Sequence, residues 1–520
     1  MRDIGCGIEQ RAVEVEADDG KADGPETDCG FGTFGHLCAH ALCLWKPQQF
    51  AGKPARNPDQ PLITGTAVTE TNQLAVIILA AGKGTRMKSA LHKVLHPIAG
   101  RPMIEHLMAS AAALNPTRFI VVTGDLREQV EGALKGKADF AVQDRQLGTG
   151  HAVLQAREAL AGFSGDVLIL YGDVPFLRGA TMQAMQRRLH ADDAPPAVVL
   201  GFRPGDTKSY GRIIAEDGGR IAKMVEHKDA SDEERACTLC NSGVMAVRGD
   251  ALFALLERVG NDNAQGEYYL PDIVNLATAD GRPCAVVETD DPGEVAGINS
   301  RAELAEAEAQ WQDFRRAEAM DAGTTLRAPE TVFFSWDTEL AEDVVVEPNV
   351  VFGPGVKVAA NATIRAFSHL EGAVVGKGCD VGPYARLRPG AVMEPGSKLG
   401  NFVEMKNSTL GEGAKANHLS YLGDATIGAG ANIGAGTITC NYDGYFKHRT
   451  EIGERAFIGS NSALIAPLKI GADAIVGAGS AVTRDVGDGE LRMVRGEQLV
   501  KPGWADRFHD AMKKKKKEGK

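Results

Sequence analysis

The sequence is short of several things, and each shortage narrows the choice of protein class. It contains no run of 18 apolar residues, so a membrane-spanning helix is not expected. It has no basic excess: the formal net charge of -12 gives no reason to expect a nucleic-acid partner. The one basic block, Lys513 to Lys517, reads as part of a solvated Lys-rich tail over residues 501–520. Cysteine is scarce and irregularly spaced. An odd count of 9 in a chain of 520 residues fits a reducing compartment better than a disulfide framework. Cys6, Cys29, Cys38 and Cys43, with His36 and His40 nearby, lack the spacing of a paired Cys-x-x-Cys metal site, and Cys237 with Cys240 has it only once. Neither G-x-x-x-x-G-K-[ST] nor G-x-G-x-x-G occurs after the first strand pattern, which argues against a P-loop ATPase and a dehydrogenase. Residues 1–73 show no sustained period and no basic-then-apolar leader. They read as a disordered extension, or as a start codon set too far upstream.

Glycine, by contrast, is plentiful and placed in register. Ile452, Ile458, Leu464, Ile470, Val476 and Val482 recur at unbroken six-residue intervals, with Gly453, Gly459, Gly471 and Gly477 following their aliphatic residues. Val344, Val350 and Val356, and then Ile427 and Ile433, repeat the same register. A period of six belongs to neither a helix nor an ordinary strand, but it suits a parallel β-helix whose short strands stack coil on coil. From about Pro383 to Thr450 the solenoid pattern is least repetitive, and polar residues including Arg388, Lys406, His418, Tyr421, Asn432, Asn441, Tyr442 and Lys447 interrupt the aliphatic register. Departures of this kind lie along one face of a solenoid, where they can form a cleft.

The chain is longer than single cores usually grow, so two or more domains are expected. Order begins at Leu74 with a buried-strand run that breaks into Ala80-Ala81-Gly82-Lys83-Gly84-Thr85-Arg86. A strand opening into a small Gly-containing loop with two cations can cradle phosphate; the plainer reading of Gly82 and Gly84 is as turn residues. Further strand patterns at Phe119 to Val122, Val167 to Tyr171 and Val198 to Phe202 alternate with helical ones, which predicts an α/β domain with a mostly parallel sheet. Asp173 then stands just past a strand end, where open sheets bind ligands. Between the halves, Arg301 to Met320 lacks Gly and Pro and is rich in helix formers, so an exposed connecting helix is predicted, with Gly323 as its stop.

The motifs LAAGKGTRM, LHKVLHPIAG, QLGTGHA, LYGDVP, SYGRI, VEHKDA, CNSG and GINSR, in that order, resemble the sugar nucleotidyltransferases. RLRPG, NFVEMKN, NHLSYLGD and NIGAGTITCNYDG resemble a glucosamine 1-phosphate N-acetyltransferase, and together the two sets are similar to the bacterial bifunctional enzymes of UDP-N-acetylglucosamine synthesis. The resemblance covers roughly residues 74–500. It implies a Rossmann-like α/β nucleotidyltransferase domain (74–300) joined by a helix (301–325) to a left-handed parallel β-helix of hexapeptide repeats (326–500). The implied reactions are acetyl transfer from acetyl-CoA to glucosamine 1-phosphate, then uridylyl transfer from UTP to N-acetylglucosamine 1-phosphate with release of pyrophosphate. These would supply cell-wall and lipid A precursors in the cytoplasm.

By the same resemblance, Leu79, Ala80, Ala81, Gly82, Gln143, Gly148 and Thr149 hold the nucleotide, and Arg86 and Lys93 its phosphates. Tyr171 and Gly172 also bind substrate, Gly211, Glu226 and Asn241 contact the amino sugar, and Asp173 and Asn299 hold Mg²⁺. In the second half His418 is the general base, Arg388, Lys406 and Lys447 meet the sugar phosphate, and Tyr421 and Asn432 orient the sugar. Asn441 and Tyr442 shape the acceptor region, and Ala435, Ser460, Ala478 and Arg495 line the acetyl-CoA site. A homotrimer whose neighbouring chains complete each acetyltransferase site is also implied. The residues fit both reactions on chemical grounds. Cations and Mg²⁺ offset the repulsion between two phosphates, and a protonated amine needs a base near neutral pH before it can attack a thioester. Two alternatives remain at this stage: a nucleotidyltransferase whose solenoid only trimerises it or which acts on another sugar, and a solenoid binding module with a degenerate catalytic half.

Overall fold

The computed structural model describes residues 73–518 apart from Lys208. The expectations for the amino-terminal extension and for Cys6, Cys29, Cys38 and Cys43 fall outside the described residues. Leu74–Ala80 forms a central strand because its alternate side chains enter two cores. Ala75 and Ile77 pack with Ile120, Val153 and Ile169 on one face, while Val76 and Ile78 pack with Ile104, Leu107 and Leu170 on the other. A strand buried on both faces reads as a continuous apolar run, which is why LAVIILA has no polar residue. The sheet runs in the order Ala285–Thr289, Ala197–Phe202, Cys240–Arg248, Asp166–Tyr171, Leu74–Ala80, Arg118–Thr123 and Asp139–Val142. Cys240–Arg248 lies antiparallel to both its neighbours, and the other pairings along this order are parallel. Among the described residues Cys237, Cys240, Cys284, Cys379 and Cys440 are free.

The second half winds into three parallel sheets of short strands, from Thr325–Leu326 to Leu491–Arg492. The hexad residues named above all point inward, with Ile458, Leu464, Val476 and Val482 fully buried. Between Pro383 and Thr450 the solenoid departs from strict six-residue spacing, as the sequence suggested, with five-residue steps from Met405 to Leu410 and from Leu422 to Ile427, yet its core continues. Leu387, Leu399, Met405, Leu410, Ala416, Leu422, Ile427 and Ile433 carry it through this interval, all buried. Arg388, Lys406, Tyr421 and Asn432 stand next to inward residues and face outward, because successive strand side chains alternate between core and solvent, and His418 lies exposed at the end of its strand. The true departure is an excursion from Asn441 to Arg449, between the strands Ile438–Cys440 and Thr450–Ile452.

The connecting helix, Arg301–Asp321, starts at Ser300 with a capping box: Ser300 accepts from the Glu303 N–H, and Glu303 accepts from the Ser300 N–H. It ends as Gly323 turns at φ 94° and donates its N–H to the Met320 carbonyl. The helix is not simply exposed, because Ala307, Gln312, Arg316 and Ala319 are buried along one side. Gln312 donates to the Phe334 carbonyl (2.7 Å) and accepts from the Phe334 N–H (2.8 Å), and Arg316 donates to the Val332 carbonyl (3.0 Å). The helix therefore satisfies the backbone of the first coil, which has no preceding coil to pair with. Ser335 Oγ and the Trp336 N–H both donate to the Ala99 carbonyl, tying that coil to the nucleotide half. The Lys-rich tail is ordered too: Trp504–Glu518 is a helix, exposed along its whole length. No described helix is long and apolar enough to cross a membrane.

Ile458→Ala should cost about 2–5 kcal/mol, since it removes a fully buried side chain from a core that can relax little. Urea denaturation followed by circular dichroism measures this. A loss below about 1 kcal/mol would place Ile458 outside the core.

Candidate active sites

In the first half, the strand ends and the loops that follow them enclose a cavity of about 320 Å³. Of the residues expected there, Leu79, Ala80, Ala81, Gly82, Lys93, Gln143, Gly148, Thr149, Tyr171 and Asp173 line it. Gly148 has to be glycine: its φ is 110°, and a Cβ would come within 2.5 Å of the Tyr268 carbonyl oxygen. Gln143 is buried and donates to the Gly148 carbonyl (3.1 Å), while the Thr149 hydroxyl accepts from the Leu270 N–H (3.0 Å). Gly172 lies beneath the cavity, donating its N–H to the Leu79 carbonyl. Arg86, in the short 3₁₀ turn Thr85–Met87, is exposed and does not line the cavity.

The two residues expected to hold a metal converge on one cation. Lys93 Nζ donates to Asp173 Oδ2 (2.5 Å) and to Asn299 Oδ1 (2.9 Å). Asp173 ends the loop after Asp166–Tyr171, and Asn299 is held just before the helix cap by its own N–H, which donates to Glu303 Oε2 (2.6 Å). One carboxylate oxygen and one amide oxygen aimed at the same positive charge form a hard-oxygen pair that suits Mg²⁺, which keeps several waters and shares phosphate oxygens. Among the described residues there is no cluster of three or more His, Cys, Asp or Glu placed to hold a metal without such help.

A second group sits on the far side of Tyr171. The Gly211 carbonyl accepts from the Asn241 N–H (2.9 Å), and a Cβ at Gly211 would stand 3.2 Å from Glu226 Oε1. Burial, then the charges of Glu226 and Asp173, pushes the Tyr171 phenol well above its usual range, so Tyr171 remains a neutral bridge between the two groups. Burial, then the charges of Asp272 and Asp229, also raises the Glu226 carboxyl. The sequence reading missed His92, Gln146 and Glu267, which also line the cavity. Gln146 donates to the Ala81 carbonyl (2.6 Å) and steadies the nucleotide loop; its place in QLGTGHA, three residues after Gln143, was the available signal.

In the second half the stacking sorts the expected residues into columns. Leu387, Met405 and Leu422 point inward in register, so their neighbours Arg388, Lys406 and Tyr421 share an outward face. Arg388 donates to Glu404 Oε1 on that face (2.8 Å). At the adjoining corner Asn401 and His418 are register partners, and one repeated bond extends their column. The Leu419, Gly436, Asn461 and Gly479 N–H groups donate to the carbonyls of Asn401, His418, Ala435 and Ser460. His418, Ala435 and Ser460 therefore lie in a single line that Ala478, beside Gly479, continues. At about 4.8 Å per coil, His418 and Ala478 are roughly 14 Å apart along it. Arg495 reaches the end of this line, its Cδ 3.9 Å from a Cβ built at Gly479. Asn432 sits on the adjacent sheet, paired with Lys415. Asn441 is anchored through its side chain to Asp424, whereas Tyr442 and Lys447 ride on the excursion, with Lys447 Nζ 4.4 Å from the centre of the Tyr442 ring.

Residues 76–257 match the MobA-like NTP transferase domain family. The chain is 73% identical over 445 residues to the bifunctional protein GlmU of Sphingopyxis alaskensis, covering 86% of this chain and 98% of that one. It is 75% identical over 447 residues to the bifunctional protein GlmU of Novosphingobium aromaticivorans, covering 86% and 99%. A solved structure of UDP-glucose pyrophosphorylase complexed with UDP-glucose is 21% identical, with a TM-score of 0.38 over 47% of this chain and 100% of that one.

The raised Glu226 carboxyl gives a stability test. Its ionised form is disfavoured in the fold, so the penalty is absent below the unfolded carboxylate range of about 4, grows as pH rises from there to the folded value and is constant above it. Glu226→Gln should therefore raise the thermal midpoint at pH about 7.5 and leave it unchanged near pH 4. A variant no more stable than wild type at neutral pH would show that Glu226 carries no such penalty.

Proposed function

The chain belongs to the GlmU family of bifunctional proteins, and on that premise we propose how its residues divide two reactions between two sites. The protein is a bifunctional transferase of UDP-N-acetylglucosamine synthesis: it acetylates glucosamine 1-phosphate from acetyl-CoA and then joins the product to UTP, releasing pyrophosphate. The observation that carries the assignment of sites is the pairing of two intact constellations, Lys93 with Asp173 and Asn299 in the α/β half, and His418 in line with Ala435 and Ser460 on the β-helix.

In the first site, Leu79 to Gly82, Gln143, Gly148 and Thr149 hold uracil and ribose, and Tyr171, Gly172, Gly211, Glu226 and Asn241 hold the amino sugar. A phosphate oxygen of N-acetylglucosamine 1-phosphate attacks the α-phosphorus of UTP as the bond to pyrophosphate breaks. Asp173 and Asn299 would hold Mg²⁺, which when bound neutralises charge on the transferring phosphate. Lys93, released from that pair, meets a phosphate, with Arg86 on the open side.

In the second site, His418 takes a proton from the glucosamine amine as nitrogen attacks the thioester carbonyl; the C–S bond then breaks and the thiol leaves. Arg388, Lys406 and Lys447 neutralise the sugar phosphate, Tyr421 and Asn432 orient the ring, and Asn441 and Tyr442 shape the acceptor region. Ala435, Ser460, Ala478 and Arg495 line the path of acetyl-CoA. The excursion leaves Tyr442, Tyr445 and Phe446 57%, 87% and 70% exposed, and Phe367, Tyr384 and Phe402 stack at 4.9 and 5.0 Å as an open ladder that leads to Leu419, beside His418. Apolar surface of this extent supports a homotrimer in which a neighbouring chain completes the acetyltransferase site. The absence of a described spanning helix is compatible with a cytoplasmic location.

Reciprocal variants test the division of labour. Asp173→Ala should suppress uridylyl transfer and spare acetyl transfer, while His418→Ala should slow acetyl transfer about 10²- to 10⁴-fold and spare uridylyl transfer. Omitting each substrate and Mg²⁺ in turn provides the controls. Equal damage to both reactions by either variant, in folded protein, would sink the assignment. Light scattering should give a trimer mass for acetyltransferase-active protein, and a concentration-independent monomer would rule the trimer out.

A further inference from the structure

Asn401 takes the same column position as His418, one coil earlier, and its side chain is spent on the imidazole: His418 Nδ1 lies 2.7 Å from Asn401 Oδ1. An amide oxygen can only accept, so Nδ1 carries a hydrogen and donates it. The other ring nitrogen, Nε2, turned away from Asn401, is then left as the lone-pair acceptor. We propose that Asn401 is a positioning residue for acetyl transfer, fixing the His418 tautomer so that Nε2 is the atom that takes the proton from the amine. This rests on the reading of His418 as the general base.

Three features of the structure support it. First, the bond suits both states of a base that gains a proton, because Nδ1–H is a donor in the neutral ring and in the imidazolium alike. A partner that donated to Nδ1 would be lost at the moment of protonation. Second, the geometry is locked by the stack. The preceding residue, Gly400, lies so close to Asn417 that a Cβ there would overlap the Asn417 carbonyl, and the Leu419 N–H donates to the Asn401 carbonyl (3.0 Å). The His418 carbonyl in turn accepts from Ser420 Oγ (2.8 Å) and from the Gly436 N–H (3.3 Å), holding the backbone under the ring from both sides. Third, Glu404, the carboxylate three residues after Asn401, is committed elsewhere, since it accepts from Arg388. The ionisable side chains on the elements packed around the pair are Lys398 and Lys415 on the same two strands, Asp380 on the strand paired with the first of them, and Glu404, Lys406 and Tyr421 on the strands that follow them round the corner. The orienting group is therefore neutral, and it sets direction without adding charge.

Three full-length variants, Asn401→Ala, Asn401→Asp and His418→Ala, test the proposal through acetyl-transfer kcat and glucosamine 1-phosphate KM across pH, with uridylyl transfer as the control for folding. Asn401→Ala should lower kcat about tenfold, the rate equivalent of one neutral hydrogen bond, and leave KM unchanged. Asn401→Asp keeps an acceptor oxygen at the same place, so it should recover most of kcat. Its charge favours the imidazolium, so it should also move the acidic limb of the kcat profile up by about one pH unit. An Ala variant with wild-type kcat, or with a change in KM alone, overturns the proposal. So does an Asp variant whose acidic limb stays in place, because a residue that merely supports the coil would leave the profile unshifted. If His418→Ala itself retains a near wild-type rate, the base assignment fails and this inference fails with it. A slow His418→Ala beside a fast Asn401→Ala removes only Asn401.

Discussion

One inward side chain in each hexad is the constraint on which the second half of the molecule depends. With Ile458, Leu464 or Val476 committed to a narrow core, the residues on either side must face outward, and the parallel ladder then fixes which of them are neighbours from coil to coil. A slip of one residue would exchange core and surface, so the register is held strongly. Chemistry can be written on the outward positions at little cost to the fold. This is how Arg388, Lys406 and Tyr421 come to share a face, and how Asn401, His418, Ala435 and Ser460 come to share a corner.

The connecting helix applies a similar logic between the halves. Its first turn fixes Asn299 through Glu303, and its buried side caps the first coil through Gln312 and Arg316. A β-helix begins with a coil whose backbone has no earlier coil to pair with, and leaving those groups buried and unpaired would cost about 1–3 kcal/mol each. The element that closes the solenoid is therefore the one that carries half of the oxygen pair in the other site.

In each half a cation expected to meet phosphate rests against a carboxylate. Lys93 rests on Asp173 and Arg388 on Glu404. The Arg388 pair, about one-third exposed, is of the weak, solvent-screened kind, whereas the Lys93 pair is more deeply buried. In the proposed reactions a phosphate would take over either cation, and in the first half that exchange would free Asp173 and Asn299 for the proposed metal.

The sequence by itself determined the patterns: continuous apolar runs for the buried strands of the first half, a period of six for the solenoid, and a helix without Gly or Pro between them. It also determined the residue types at both sites, since phosphate and amine chemistry restrict them to a few cations, carboxylates and a histidine, and their motifs lie in short, ordered segments. Tertiary structure decided what no local pattern encodes. Lys93, Asp173 and Asn299 are far apart in the chain and meet only because the helix cap and two strand ends converge. The interval from Pro383 to Thr450 is irregular in spacing and holds the Asn441–Arg449 excursion, and only the stacked coils show that the core continues on either side of it. Asn401 was invisible as a partner of His418 for the same reason: the distance between them is set by one full turn of the solenoid, and the ladder's register, not proximity in sequence, brings the amide oxygen to the ring.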